Sequence, residues 1–393
     1  VASGTTLSAS AELKPVLIVG AGFAGAVLAR SLADAGLPST VIDARSHVAG
    51  NCHTERDPVT DVLTHVYGPH IFHTDAAEVW AYVTRFADFM PYEHRVRTTV
   101  GTRVYSLPID LLTINQFYGT AMRPDEARAF IAAEADPIPA PANFEEQARS
   151  TVGVRLYEAF FKGYTQKQWG RSPKELPASV FNRLPLRFRY DGRYFSHRFQ
   201  GIPREGYSRL VERILEHPLI DLRLRTSFAR EAATGHGHVF WSGPLDEYFD
   251  FRLGRLPYRT LDFEHFRAEG DYQGCPVMNY ADPDVPYTRI TEHKHFAYWE
   301  DHPQTICTQE HSRAAGPTDI PYYPVRLANE KALLRDYLSL AGTVDGVTFI
   351  GRLGTYRYID MDQCIAEALT TASTYLDALK AERSMPAFVQ SPL

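Results

Sequence analysis

The sequence predicts an α/β fold in which a parallel-sheet domain is interrupted by a helical insertion and an antiparallel-sheet insertion. Three observations predict it. Near the start, VLIVGAGFAG (16–25) joins an apolar run to a glycine-rich turn and a helical segment, AVLARSLADAG. Near the end, VTFIGRLGTYRYIDMDQCIAEALTTASTYLDAL reads as a buried strand, a glycine-containing turn and a long amphipathic helix. Strand–turn–helix units at both ends imply that the terminal segments complete one α/β domain around insertions. Between them, residues 110–165 carry helical periodicity, and short alternating runs dominate from 188 to 300.

Val16 to Val19 are continuously apolar, as a strand buried on both faces of a parallel sheet requires. Gly20, Gly22 and Gly25 then match G-x-G-x-x-G, for a tight turn, a close backbone approach to pyrophosphate, and close helix–strand packing. The phosphates belong at the helix N-terminus, where unpaired N–H groups favour negative charge. Asp43 closes the next apolar stretch, TVID, where a carboxylate accepts from ribose hydroxyls. In this context the motif reads as a Rossmann-like dinucleotide site; the alternative is a merely structural glycine turn. Gly50 and Asn51 form a turn that either adds a phosphate contact or is a plain surface loop.

Residues 75–88 read as a helix, with Thr74 or Asp75 as N-cap and Val79, Trp80, Val83 and Phe86 on one face. Residues 95–108 alternate around a glycine, as a hairpin does. PDEARAFIAAEAD is one further helix and 143–164 another, capped by Asn143. The stripe Leu156, Tyr157, Phe160, Phe161 and Tyr164 on the latter reads as core more readily than as pocket. Residues 170–187 hold three prolines and no sustained period, so they form a loop that is functional or disordered. HVFWSGP (238–244) returns to the parallel sheet. The division is 14–75 with 200–250 and 325–393 for the nucleotide domain. Residues 76–94 and 110–175 form the helical domain, with 170–187 as its mobile loop. The sheet domain takes 95–109, 188–199 and 251–324.

The length of 393 residues allows two or three domains at about 150 each. A composition of 44% hydrophobic and 22% charged residues excludes a disordered or fibrous chain. The net charge of −6 argues against nucleic acid or an anionic membrane as partner, but not against a small anionic substrate met by local arginines. Cys52, Cys275, Cys307 and Cys364 are scattered, which excludes a spacing-based zinc site and fits a reducing compartment. No apolar run reaches the ~18 residues of a membrane span, and VASGTTLSASAE lacks the layout of a signal peptide. A soluble, cytoplasmic protein is expected.

Three clusters carry candidate chemistry. HVYGPHIFHTD places His70 and His73 three apart, as a metal pair, as interior histidines, or as imidazoles beside a cofactor ring. Trp169, Arg183, Arg187, Arg189, Tyr190, Arg193, Tyr194 and Arg198 interleave guanidinium groups, which bind phosphate, with rings that stack. Most such arginines face solvent. Arg289, in YTRITEHKHF, and the segment PYYPVR form the third, where a lone arginine is by default structural.

The stretches GAGFAGAV, YGPHIFHT, FFKGYTQKQWG, FNRLP, YTRITEHK, PYYPVR and GRLGTYRYIDMD resemble the UDP-galactopyranose mutase family, from about residue 14 to 382. Asp43 stands where a glutamate is common in that family. The resemblance implies bound FAD, active when reduced, and interconversion of UDP-galactopyranose and UDP-galactofuranose through a covalent flavin N5–sugar iminium without net redox change. It puts His73 near the reactive face of the flavin, with Phe23, Asn51, His70, Ile71, Arg352 and Met361 also in the cofactor site. It assigns Arg183 and Arg289 to the two phosphates, and the hydroxyls of Tyr194, Tyr323 and Tyr358 to the diphosphate. Phe160, Tyr164, Trp169 and Asn279 would shape the uridine and sugar ends, with Asp360 near the sugar. A homo-oligomer is expected, with no metal. The rival readings are an FAD oxidoreductase of the amine-oxidase type and a nucleotide-sugar binder without catalysis.

Overall fold

In the computed structural model, residues 14–183, 186–326 and 328–393 are described. Val16–Val19 is the middle strand of a five-stranded parallel sheet. The order is Ile220–Arg223, Ser39–Ile42, Val16–Val19, Val239–Trp241 and Val347–Phe349. Its continuous apolar run is used on both faces. Val16 and Ile18 pack with helices Phe23–Asp34, Gly206–Leu215 and Met361–Lys380. Leu17 faces a second core that includes Trp241 and, from helix Ala328–Ala341, Leu334 and Tyr337.

The inserted sheet has seven strands, ordered Tyr323–Pro324, Tyr258–Glu269, Gln304–Ala314, Arg289–Glu292, Val277–Tyr280, Val96–Val100 and Arg103–Leu107. The predicted hairpin at 95–108 is its far edge. The sheet is antiparallel except where Val277–Tyr280 runs parallel to Val96–Val100, a join that alternation within single strands does not reveal. A smaller sheet pairs Phe72–Thr74 with Phe199–Pro203, and the latter with Phe89–Pro91.

The helical layer comprises Leu111–Tyr118, Pro124–Glu134, Phe144–Leu156 and Gly163–Trp169. Asn143 caps the third, its Oδ1 accepting from Glu146 N at 3.0 Å. The single helix expected over 143–164 is broken instead: Gly153 has φ of +78°, and Tyr157–Lys162 is a π-helical turn. Such a turn shifts the face that later side chains present, and π-turns recur at functional sites. The helix expected at 75–88 spans only Ala77–Val83, because the chain then enters Phe89–Pro91. Its Val79, Tyr82 and Val83, with Phe86, pack with the helix Phe23–Asp34. Val79 to Phe86 thus pack on the nucleotide domain's core, while Tyr92 packs with Val96 and Val277 of the inserted sheet; the sequence reading groups 76–94 with the helical domain. The 170–187 loop carries two short 3₁₀ turns, Pro173–Glu175 and Ala178–Arg183.

Candidate functional site

At the glycine turn the three glycines divide their roles. A Cβ on Gly20, whose φ is +104°, would lie 2.0 Å from Ser242 Oγ, and one on Gly25 would lie 1.9 Å from the Gly20 carbonyl oxygen. Those two serve the fold. A Cβ on Gly22 would meet nothing nearer than Gly50 Cα at 3.8 Å. The protein itself leaves space for a Cβ there, so the bare position leaves a cradle that a ligand backbone can enter at the first turn of Phe23–Asp34. Asp43 braces this cradle: its Oδ2 accepts from Ala21 N at 2.8 Å and its Oδ1 from Arg45 N at 2.9 Å. Each oxygen keeps a lone pair for a ribose hydroxyl. Arg45 donates to Asn51 Oδ1 at 2.9 Å and lies 4.9 Å over the Tyr67 ring, while its buried Nη1 has no acceptor. Phe23 is buried edge-on to Tyr207 at 6.2 Å.

Further along, Arg352 lies 4.2 Å over Tyr358 and 5.3 Å over Tyr323, and those two rings stack at 5.4 Å. Its Nε and Nη2 are buried with no acceptor. A guanidinium in that state calls for an acceptor-rich group beside it. The carbonyl and ring-nitrogen edge of a flavin fits that need, as the cradle at Gly22 fits a pyrophosphate. His70 Nδ1 lies 2.8 Å from the Gly68 carbonyl, and burial takes its pKa down to about 4. Ile71 is buried in a small cluster with Tyr92, Val96 and Ile202. His73, on strand Phe72–Thr74, stacks on Phe195 at 3.7 Å, and its Nδ1 has no partner. Burial lowers its pKa although Asp360 opposes the shift, so it is a neutral imidazole at pH 7. Asp360 is exposed at the start of helix Met361–Lys380, where its N–H donates to Gln363 Oε1 at 3.2 Å, and Met361 packs at the edge of the first core.

The inserted sheet supplies the opposite wall. Asn279, Arg289 and Glu310 are direct cross-strand neighbours on three adjacent strands, so their side chains share one face. Arg289 Nη2 donates to the Tyr164 hydroxyl at 2.7 Å, and Arg289 Nε lies 3.3 Å from Glu310 Oε1 as an ion pair. Burial alone would pull this guanidinium down, but Glu310, with Tyr164, Tyr323 and Tyr194 around it, holds its pKa above the usual value. Arg289 therefore keeps its charge. The buried Asn279 Oδ1 has no partner. Burial raises the hydroxyls of Tyr164 (to about 12), Tyr194 and Tyr323, so all three remain donors at neutral pH.

The structure thus gathers Tyr164, Tyr194, Tyr323, Asn279 and Arg289 around one charged centre, and Arg352 with Tyr358 beside it. Phe160 sits in the helical core, edge-on to Tyr105 at 5.3 Å and Phe117 at 5.4 Å. Trp169 borders that core at the end of Gly163–Trp169. Arg183 closes the turn Ala178–Arg183; its side chain lies outside the described residues. Sequence reading missed Glu310 and Arg45. Glu310 lies in TQEH, among polar neighbours, and only its register with Arg289 distinguishes it.

Comparison with known proteins gives a consistent result. Residues 159–358 match the family model for UDP-galactopyranose mutase, and residues 18–86 match that for an NAD(P)-binding Rossmann-like domain. A probable UDP-galactopyranose mutase of Klebsiella pneumoniae is 56% identical over 95% of this chain and 98% of its own length. A dTDP-fucopyranose mutase of Escherichia coli is 50% identical over 93% of this chain and 99% of its own. A crystal structure of reduced UDP-galactopyranose mutase shares the fold, with a TM-score of 0.71 at 14% identity over 93% of this chain and 94% of that one.

Proposed function

The chain belongs to the UDP-galactopyranose mutase family, and on that ground we propose that it interconverts UDP-galactopyranose and UDP-galactofuranose with FAD held in its reduced form. The observation that carries this reading is the half-buried Arg289, charged, ringed by tyrosine hydroxyls and aligned with Asn279. A departing diphosphate needs that arrangement; an oxidase of small amines does not. The Gly22 cradle and the acceptor-less Arg352 support a flavin dinucleotide between the two walls.

When bound and reduced, the flavin supplies an electron-rich N5 next to the sugar. The chain's own groups do the rest. Arg289, with Arg183 from the 170–187 loop, binds the diphosphate and stabilises its charge as the anomeric C–O bond breaks. Tyr194, Tyr323 and Tyr358 donate to the same oxygens. Trp169 and Phe160 flank the uridine, with Tyr164 and Asn279, while Asp360 lies toward the sugar. His73, neutral, accepts or donates a proton at the cofactor edge without adding charge. Gly22, Phe23, Asp43, Gly50, Asn51, His70, Ile71 and Met361 hold the cofactor, on a turn whose close packing needs Gly20 and Gly25. A closing loop keeps UDP and sugar together and excludes water. The proposal includes a cytoplasmic setting and a homo-oligomer; among the described residues no helix is long and apolar enough to cross a membrane.

The test is direct. Purified protein is given UDP-galactofuranose with and without dithionite, and products are separated by chromatography. Conversion only after reduction, with many turnovers per reducing equivalent, is expected. One reductant consumed per product, or full activity with oxidised flavin, would overturn the reading in favour of an oxidoreductase. Because a 50% identical relative carries the name dTDP-fucopyranose mutase, dTDP-fucopyranose belongs in the same assay; preferential turnover would move the substrate assignment while leaving the ring contraction.

A further inference from the structure

One cation close to the site is used by none of the chemistry above. The Lys167 ammonium donates to four backbone carbonyls of a single turn: Tyr280 at 2.7 Å, Asp282 at 2.9 Å, and Val285 and Tyr287 at 3.0 Å each. That turn joins strand Val277–Tyr280 to strand Arg289–Glu292, and it contains Pro283 and Pro286. Two prolines remove two N–H donors from the turn; of the four carbonyls, that of Asp282 also accepts from Val285 N at 3.3 Å. Four carbonyl dipoles converging on one point repel one another unless a positive charge sits between them. An ammonium has no acceptor and three N–H donors, so one of them is shared between two of the four carbonyls while the charge sits among all of them.

The location gives the cage its meaning. Lys167 lies between Tyr164 and Trp169 on helix Gly163–Trp169, and the turn it grips has Asn279 before it and Arg289 after it. On the same face of the helix, a Cβ on Gly163 would lie 2.2 Å from the Ala281 carbonyl oxygen, so helix and turn meet backbone to backbone. From the other side, Ser312 Oγ donates to the Gln168 carbonyl at 2.7 Å, and Arg259 donates to the Gln168 carbonyl at 3.0 Å and the Lys167 carbonyl at 3.3 Å. The Tyr164–Arg289 hydrogen bond spans the same gap that Lys167 bridges.

We propose that Lys167 is a positioning residue: its caged ammonium fixes the Tyr164–Trp169 helix in register with the Asn279–Arg289 hairpin, and a small external ammonium ion can take its place when the side chain is removed. The inference rests on the reading of those four residues as one nucleotide-sugar site. Loss of the ammonium leaves the four ligand-facing groups present but lets the two elements drift. A drift of about 1 Å is enough to cost about 10²-fold in a positioned reaction.

The test uses flavin-loaded enzyme with Lys167→Ala and Lys167→Met, reading UDP affinity, KM, kcat and melting temperature. The expected result for both is roughly a tenfold or greater loss of UDP affinity and a matching rise in KM, with a smaller change in kcat and full flavin content. Methylammonium chloride should restore most of the affinity to Lys167→Ala but not to Lys167→Met, whose side chain fills the space, and sodium chloride at equal ionic strength should restore neither. Wild-type affinity in Lys167→Met would overturn the proposal, as would a loss in Lys167→Ala that methylammonium leaves unchanged. Failure of the unsubstituted enzyme to bind UDP would instead strike the functional reading itself. In that case a methylammonium-dependent rise in the melting temperature of Lys167→Ala alone would still support the cage, and its absence would sink it.

Discussion

The two walls of the candidate site are built by different means. The nucleotide wall is made of backbone: a glycine turn, a helix N-terminus and a bare Cα at Gly22 within one span of ten residues. The sugar wall is made of side chains, Tyr164 from a helix and Asn279, Arg289 and Glu310 from three strands that begin more than a hundred residues later. A backbone-built site depends on residues that are absent, and it fails when bulk is added. A side-chain-built site depends on charges held in place, and it fails when one is removed or when the scaffold shifts.

The largest effect should come from adding bulk. Gly22→Val should abolish flavin binding while leaving the fold, since its Cβ would make only an ordinary contact with the protein, 3.8 Å from Gly50 Cα. Gly25→Val should instead cost folding, because its Cβ would lie 1.9 Å from a carbonyl oxygen. Flavin absorbance and melting temperature, measured together, separate the two. Yellow, stable Gly22→Val protein would break the contrast. On the other wall, Arg289→Ala should lower kcat by roughly 10²–10³, the scale for one preorganised charge stabiliser, with flavin content unchanged. Colourless Arg289→Ala protein would mean that the two walls are not separable.

This contrast also explains what could be read in the sequence. The strand Val16–Val19, the glycine spacing and the Asn143 cap are local patterns, and each is visible within a dozen residues. The resemblance reached Arg289 and Tyr164 as separate positions. Their 2.7 Å hydrogen bond depends on the π-turn at Tyr157–Lys162, which no periodicity announces. Glu310 and Lys167 were not legible at all: one is an acid among polar neighbours, the other a lysine in an amphipathic helix. Both gain their roles only from strand register or from the shape of a turn. The packing of Val79 to Phe86 on the nucleotide core was hidden for a related reason, since an apolar helix face does not say which core it covers.

Acid should cost the fold stability. His94 and His293 are buried, and burial lowers their pKa values to about 3; both pack in or beside the inserted sheet's cluster around Phe296. Their folded-state values lie below the unfolded value, so they cost no stability above pH 6.5. As pH falls below 6.5, the unfolded chain binds protons that the folded one refuses. Each such histidine then removes about 1.4 kcal/mol per pH unit, down to the folded value near 3. Melting temperatures should fall progressively from pH 7 to 5, and the buried His70 and His238, each lowered to about 4, add to the slope. A melting temperature independent of pH over that range would show these imidazoles to be accessible.

The smallest effect sharpens the comparison most, because it removes one oxygen. The Tyr164 hydroxyl accepts from Arg289 Nη2 at 2.7 Å, and with its pKa raised to about 12 it keeps its own proton to donate onward. Tyr164→Phe preserves the ring and its packing, so it deletes a contact without opening a cavity. Glu310 still faces Arg289 Nε at 3.3 Å and holds the charge. What is lost is one hydrogen bond that orients the guanidinium plane, worth about 0.5–1.5 kcal/mol, or roughly two- to twelvefold in kcat/KM. The loss should fall mainly on KM if Tyr164 orients Arg289 toward the ground-state diphosphate, and on kcat if the alignment matters only as the C–O bond breaks. A loss as large as that of Arg289→Ala would mean that Tyr164 meets the substrate through a contact of its own. The sugar wall would then be a set of independent donors, where the geometry has them acting through one arginine.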